Sequence, residues 1–208
     1  MIAIIDYKAG NLTSVERAIK HLGFSCKITS DPEFIIKADR VIFPGVGAAG
    51  SAMESLNELN IYDAIVNFFK QGKPLLGICL GTQIIMDYSQ ENNDTKCVGL
   101  IKGRTTAFSK DMKEDGLPLK IPHMGWNNIK IVNKHPILSD LKPENEFYFV
   151  HSYHPDPEDK ANIIAFTEYG IDFASVLGFD NLVATQFHPE KSGRPGLTIL
   201  KNFCEWKV

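Results

Sequence analysis

Residues 77 to 83 read Gly77-Ile78-Cys79-Leu80-Gly81-Thr82-Gln83, between the apolar stretch Pro74-Leu75-Leu76 and a run beginning Ile84-Ile85-Met86. The apolar stretch predicts a strand, and the run after the cysteine predicts an amphipathic helix. Cys79 would then sit on the turn between them. Glycines two positions to either side let the backbone bend sharply there while both flanking chains pass close to it. At a helix N-terminus the sulfur feels the positive end of the peptide dipoles, which favours the reactive thiolate. The plainer reading is a small buried cysteine ending a core strand, but such a residue has no need of glycine on both sides.

A thiol nucleophile needs a base to take its proton and return it to a leaving group, and the base needs an acceptor that fixes its tautomer. Gln186-Phe187-His188-Pro189-Glu190-Lys191-Ser192-Gly193 offers both. Pro189 pushes His188 toward extended geometry, so side chains two apart lie on one side of the chain and Glu190 can hold the imidazole.

These residues need a scaffold, and the chain alternates strand and helix. Residues 1 to 6 form an apolar run, followed by Leu12, Val15, Ile19 and Leu22 at helical spacing up to Gly23. Residues 24 to 29, 40 to 43 and 74 to 78 read as further buried strands, with amphipathic segments near 48 to 57 and 61 to 71. The second half carries strand signal at 126 to 132, 146 to 151, 163 to 167, 173 to 178 and 182 to 187, and a last helix near 196 to 206. The expected fold is α/β, a three-layer open, mostly parallel sheet with flanking helices. Asn92, Asn93 and Asp94 and the stretch 109 to 117 read as surface loops.

In such a sheet ligands gather at the carboxyl ends of the strands. Pro44-Gly45-Val46-Gly47-Ala48 follows one strand and precedes a helix, so its amides can face an anion, and the amide of Leu80 supplies a second donor. This predicts an oxyanion hole at Val46, Gly47 and Leu80. A nucleotide-phosphate loop is the alternative, but the G-x-x-x-x-G-K-[ST] pattern is missing. His123, His151 and His154 bring a metal to mind, yet they sit among aromatic strand residues without acidic or thiol partners at ligand spacing. The reading therefore calls for no metal and no cofactor.

With 208 residues, 44% of them hydrophobic, the chain suffices for one good core, and a single domain over 1–208 is expected. A net charge of −3 gives no global reason to expect nucleic acid or an anionic membrane as partner. Cysteines at 26, 79, 97 and 204 show no paired spacing, and a thiol enzyme needs its nucleophile reduced, so a cytoplasmic setting is expected. Asp6 comes too early for a signal sequence, and no later run approaches a membrane span.

G-I-C-L-G-T-Q together with F-H-P-E resembles the triad-type, class I glutamine amidotransferases. The segments Ile4-Ile5-Asp6-Tyr7-Lys8-Ala9-Gly10-Asn11-Leu12, Pro44-Gly45-Val46-Gly47, Pro122-His123-Met124-Gly125-Trp126-Asn127 and Tyr148-Phe149-Val150-His151-Ser152-Tyr153, in that order, narrow the resemblance to the glutaminase subunits of imidazole glycerol phosphate synthase. It runs from end to end. The resemblance implies hydrolysis of L-glutamine to glutamate and ammonia through a cysteinyl thioester, with Cys79, His188 and Glu190 catalytic. It further implies Gly45, Gln83, Ser152 and Tyr153 as substrate-binding residues, and ammonia transfer to a (β/α)8-barrel cyclase in histidine biosynthesis, contacted through Asn11, Trp126 and Lys191. Left to itself, Trp126 could equally be a core aromatic and Gln83 a solvated helix residue.

Two departures matter. Val46 stands where other class members have glycine, which implies a glutaminase that is weak by itself, and Thr82 stands where these subunits usually carry Met. The competing functions are a paralogous glutaminase feeding a sugar-modifying synthetase of surface polysaccharide, a cysteine hydrolase of γ-glutamyl or peptide bonds, and a non-catalytic regulatory subunit. The intact Cys79, His188 and Glu190 speak against the last.

Overall fold

The computed structural model describes every residue except 93 and 115, together with the side chain of 114. Its first half delivers the expected alternation: β1 (Ile2–Ile5), α1 (Leu12–His21), β2 (Cys26–Thr29), α2 (Pro32–Lys37), β3 (Arg40–Gly45), α3 (Ala49–Glu58), α4 (Ile61–Lys70), β4 (Leu75–Cys79) and α5 (Leu80–Ile84). Then follow β5 (Met86–Ser89), β6 (Thr95–Lys96), β7 (Ile101–Ala107), β8 (Lys113–Glu114), β9 (Leu117–Pro118), β10 (His123–Asn128) and β11 (Lys130–Ile131). The chain ends with β12 (Glu146–His151), β13 (Tyr153–Pro157), β14 (Ile163–Glu168), β15 (Asp172–Phe179), β16 (Leu182–Thr185) and α6 (Gly193–Glu205).

The central sheet runs β11-β14-β15-β16-β4-β3-β1-β2. From β2 to β16 its neighbours are parallel, and from β16 to β11 antiparallel. Successive strand residues point to opposite faces, and both faces are covered. Ile2, Ile4, Leu76, Ile78 and Val183 pack with Val15 and Ile19 of α1 and Ile199, Leu200 and Phe203 of α6. Ala3, Ile5, Val41, Phe43, Leu75 and Ala184 pack with Ile35 of α2 and the buried stripes of α3 and α4. Burying one such large aliphatic or aromatic side chain contributes about 1.5–3 kcal/mol, so this double seal fixes where the strand ends, and hence the site, can lie.

Some sequence expectations need correction. The run from Ile84 does not continue as an amphipathic helix: α5 stops at Ile84 and β5 begins at Met86. All residues from Leu80 to Met86 are buried, so there is no polar face for a surface helix, and the carbonyls of Ile84, Ile85 and Met86 accept from the amides of 98 to 101 instead. The predicted strand 126 to 132 is two strands in different sheets, β10 pairing with β12 and β11 with β14. The stretch 109 to 117 holds buried Met112 and most of the β8–β9 hairpin. Asn93 and Asp115, which fall in the two predicted loops, lie outside the described residues. A further sheet, β13-β7-β5-β6, had no counterpart in the expected elements.

Candidate active site

Cys79 ends β4 and adopts φ 53°, ψ −106°, a conformation an L-residue holds only when its surroundings impose it. The flanking glycines work differently from the sequence expectation. Neither Gly77 nor Gly81 is among the positive-φ glycines, so the bend is taken by the cysteine itself. What Gly81 supplies is missing bulk: a Cβ there would overlap the Phe43 carbonyl oxygen of β3, and one on Gly77 would press on Ala184 Cβ at 3.0 Å. The elbow is therefore held by close backbone packing against two neighbouring strands.

Across β16, His188 lies in extended conformation (φ −98°, ψ 96°) before the 3-10 turn Pro189–Lys191. Its Nδ1 donates to Glu190 Oε1 at 2.8 Å, and both side chains are 2% exposed. With Nδ1 so occupied, Nε2 is the free nitrogen, buried and without a hydrogen-bond partner of its own. Burial works to depress the imidazole, but the side-chain interactions with Cys79 and Glu190, reinforced by the charges of both, outweigh it and push His188 up to about 10. Ser192 Oγ donates to the His188 carbonyl at 2.6 Å and accepts from the Tyr148 amide, while the His188 amide donates to the Tyr148 carbonyl. The turn is thereby latched to β12.

A cavity of about 370 Å³ opens over the sulfur, bordered by Val46, Gly47, Cys79, Leu80, Gln83, Glu91, His151, Ser152 and Tyr153. Of the residues predicted to bind substrate or oxyanion, Gly45 stands apart. It pairs with Cys79 in the β3–β4 register and is packed beneath the buried Tyr7 hydroxyl rather than bordering the cavity. Gln83 is not a solvated helix residue: it is 5% exposed, and its Nε2 donates to the Tyr153 carbonyl at 2.9 Å and to Gln186 Oε1 at 3.3 Å. Thr82 faces away from the cavity, donating to the Thr185 carbonyl at 2.6 Å, so its difference from the expected Met falls on strand packing. Two polar residues escaped the sequence reading. Glu91 brings a carboxylate to the cavity wall and accepts from the Ala49 amide at 2.6 Å. Gln186 points its Nε2 at Cys79 Sγ, 3.8 Å away.

His123, His151 and His154 cluster around Phe108. Among the described residues no group of three or more His, Cys, Asp or Glu side chains is arranged to hold a metal ion. Of the three residues expected at a partner contact, the structure brings Trp126 and Lys191 together around Tyr148. Trp126 is 54% exposed, which removes the core-aromatic reading, and stands edge-on to Tyr148, over whose ring lies the Lys191 ammonium at 5.8 Å. Asn11 caps α1, accepting from the Ser14 amide.

An elbow cysteine on a mostly parallel sheet, facing a buried His–Glu pair, is the constellation of an amidotransferase that takes nitrogen from glutamine. The family model described as glutamine amidotransferase class-I matches residues 3–206, and the chain belongs to that family. Within it, the chain is 53% identical to the imidazole glycerol phosphate synthase subunit HisH of Nitratidesulfovibrio vulgaris (strain DSM 19637 / Miyazaki F), over 98% of this chain and 95% of the relative. It is 43% identical to the protein of the same name from Pseudomonas syringae pv. syringae, over 99% and 97%. A crystal structure of a glutamine amidotransferase superposes with a TM-score of 0.73 at 16% identity, covering 98% of this chain and all of that one. The structure of PurLQS from Thermotoga maritima gives 0.73 at 14%, covering 98% and 97%. At these identities the two structures speak for the fold alone.

Proposed function

We propose that this chain is the glutaminase subunit of an imidazole glycerol phosphate synthase, hydrolysing L-glutamine and passing the ammonia to a (β/α)8-barrel cyclase. The observation that carries the chemistry is Cys79, held in a strained elbow under a cavity and coupled by charge to a His188 that is itself tied to Glu190. Cys79 Sγ, as thiolate, attacks the side-chain carbonyl carbon of glutamine. The negative oxygen that forms is received by amides of Val46 or Gly47 and of Leu80. His188 gives its proton to the departing nitrogen, which leaves as ammonia, and then takes one from the water that cleaves the thioester. Glu190 holds the imidazole in orientation and stabilises its charged form.

Recognition of the amino-acid end falls to the cavity wall. Both Nε2 hydrogens of Gln83 are spent on protein acceptors, so its Oε1 is the atom left for an ammonium, and the Glu91 carboxylate is a second acceptor. Ser152 and Tyr153 line the same cavity, with the Tyr153 carbonyl directly beside Gln83, and Gly45 acts from behind by letting β3 approach Tyr7 and Leu80. Exposed Met124 and Trp126, with Lys191 and Asn11, form the face offered to the cyclase. All four cysteines are free and no helix among the described residues is long and apolar enough to cross a membrane, which supports a cytoplasmic setting.

The test is to purify the chain with what copurifies and supply glutamine, with no ammonium salt, and the cyclase's nucleotide substrate. Glutamate and imidazole glycerol phosphate should form in equal amounts. Glutamate without the imidazole product would keep the glutaminase and shift the partner to the sugar-modifying synthetase.

A further inference from the structure

Three of the polar side chains behind the substrate cavity form a chain whose direction is fixed at both ends. At the far end, Asn127 Oδ1 accepts from the Asn128 amide at 2.8 Å, so its Nδ2 must donate, and does so to the Glu168 carbonyl at 2.9 Å and to His123 Nε2 at 3.3 Å. At the near end, His151 Nδ1 lies 2.8 Å from the Tyr153 carbonyl, which can only accept, so Nδ1 carries the hydrogen. Between the two ends, His123 Nδ1 and His151 Nε2 are 3.1 Å apart. Since His123 Nε2 is accepting, Nδ1 must be its protonated nitrogen, and it donates to the free lone pair of His151 Nε2. Each ring is satisfied as one neutral tautomer, and an added proton on either would set two donors against each other.

The chain ends on the Tyr153 carbonyl, and that carbonyl also receives Gln83 Nε2 at 2.9 Å. We infer that His123 and His151 are positioning residues for glutamine binding: their neutral relay fixes the Tyr153 carbonyl and, through it, turns Gln83 Oε1 toward the substrate ammonium. This rests on the glutaminase reading and deepens it. The surroundings keep the relay neutral, burial holding His123 near 4 and His151 well below the ordinary histidine range. The rings are also clamped: His123 stacks on Phe149 and Tyr169 with centroids 4.8 and 4.0 Å away, and it opposes His151 in the β10–β12 register. The relay makes no hydrogen bond to Cys79 or His188, although the charge of His188 reaches His151 and the Cys79 sulfur meets the neighbouring Val150 carbonyl at 4.0 Å, so its first effect falls on recognition.

The experiment compares labelling of Cys79 by a chloroketone analogue of glutamine, whose saturation reports recognition, with alkylation by iodoacetamide, which has no amino-acid end. His123→Phe keeps a flat ring and removes both hydrogen bonds. It should raise the half-saturating analogue concentration about tenfold, the worth of a lost buried hydrogen bond, with maximal labelling rate and iodoacetamide rate within about twofold. His123→Asn, whose amide can donate where Nδ1 does, should restore most of the loss. His154→Phe, a change in the same aromatic cluster but outside the relay, should leave saturation unchanged. An unaltered half-saturation in His123→Phe, an equal loss in His154→Phe, or a parallel fall in iodoacetamide rate would each overturn the relay. Absence of saturable labelling in the wild-type chain would instead remove the glutaminase reading, and the relay's role with it.

Discussion

A cysteine with φ 53° is tolerated because the elbow has nowhere else to go, and that strain gives the Cys79 prediction its edge. Cys79→Ala should abolish glutamine hydrolysis while leaving a cyclase partner active on ammonium salts, as measured by glutamate release and by product formation in each condition. Glu190→Gln should be milder, because an amide oxygen still accepts from His188 Nδ1 although it no longer stabilises the charged ring. The same histidines shape stability against pH. His123 and His135 titrate near 4 in the fold, below the ordinary 6.5, so their contribution is complete above pH 6.5 and is lost as pH falls toward 4. His188 has the opposite sign: raised to about 10, it contributes fully below pH 6.5 and loses that contribution as pH rises through 10. Urea midpoints should therefore fall on both sides of near-neutral pH, and Glu190→Gln should flatten the alkaline limb. At this scale the sequence was legible where the geometry is local, as in the turn at Cys79 and the hydrogen bond between His188 and Glu190 two residues apart. Glu91 was not, because it meets the amide of Ala49 from 42 residues away and no local spacing announces it.

Elements carry the elbow through close contact. Gly81→Ala would drive a methyl group into the Phe43 carbonyl of the central strand β3, where only backbone could move aside, so it should cost about 1–3 kcal/mol or more and lower glutaminase activity with it. Gly72→Ala is the comparison, with φ 71° and open space around it; only the left-handed strain of about 1 kcal/mol applies, and activity should persist. Denaturant midpoints and glutamate release on both variants check the contrast. The expected strands β1, β3, β4, β12 and β16 were legible because they are short apolar runs between turn residues. The β13-β7-β5-β6 sheet was hidden for identifiable reasons. Strand β13 reads Tyr153-His154-Pro155-Asp156-Pro157, and two prolines argue against a strand unless it lies at a sheet edge, which is where it sits. In β7 the buried positions that follow Ile101 are Gly103 and Thr105, so the strict alternation of buried and exposed positions from Ile101 to Thr105 carries almost no apolar signal.

On the scale of the whole molecule, the cavity and the offered face share strand β12. His151 at its end borders the cavity, while Tyr148 packs against Trp126 and Lys191 and also grips the His188 turn, its carbonyl accepting from the His188 amide and its amide donating to Ser192 Oγ. A partner seated on Trp126 would therefore bear on the same strand that latches the His188 turn. The loop proposed to receive the oxyanion has its own reason to wait. Val46 is 40% exposed, and its side chain stands where a glycine would let the 46–47 peptide turn freely, while Gly47 already holds φ 110°. An isolated chain with one oxyanion donor out of place should turn over about 100- to 1000-fold more slowly than the completed site. Activity should thus be very low alone and rise by a comparable factor when the cyclase is bound and its nucleotide ligand present, through a shift in population at residues 45 to 47. Steady-state glutamate release from the chain, the complex and the liganded complex measures this. Trp126→Ala should weaken assembly and lower the activated rate while leaving the rate of the lone chain unchanged. Equal rates in all three states would show that the site is complete without its partner.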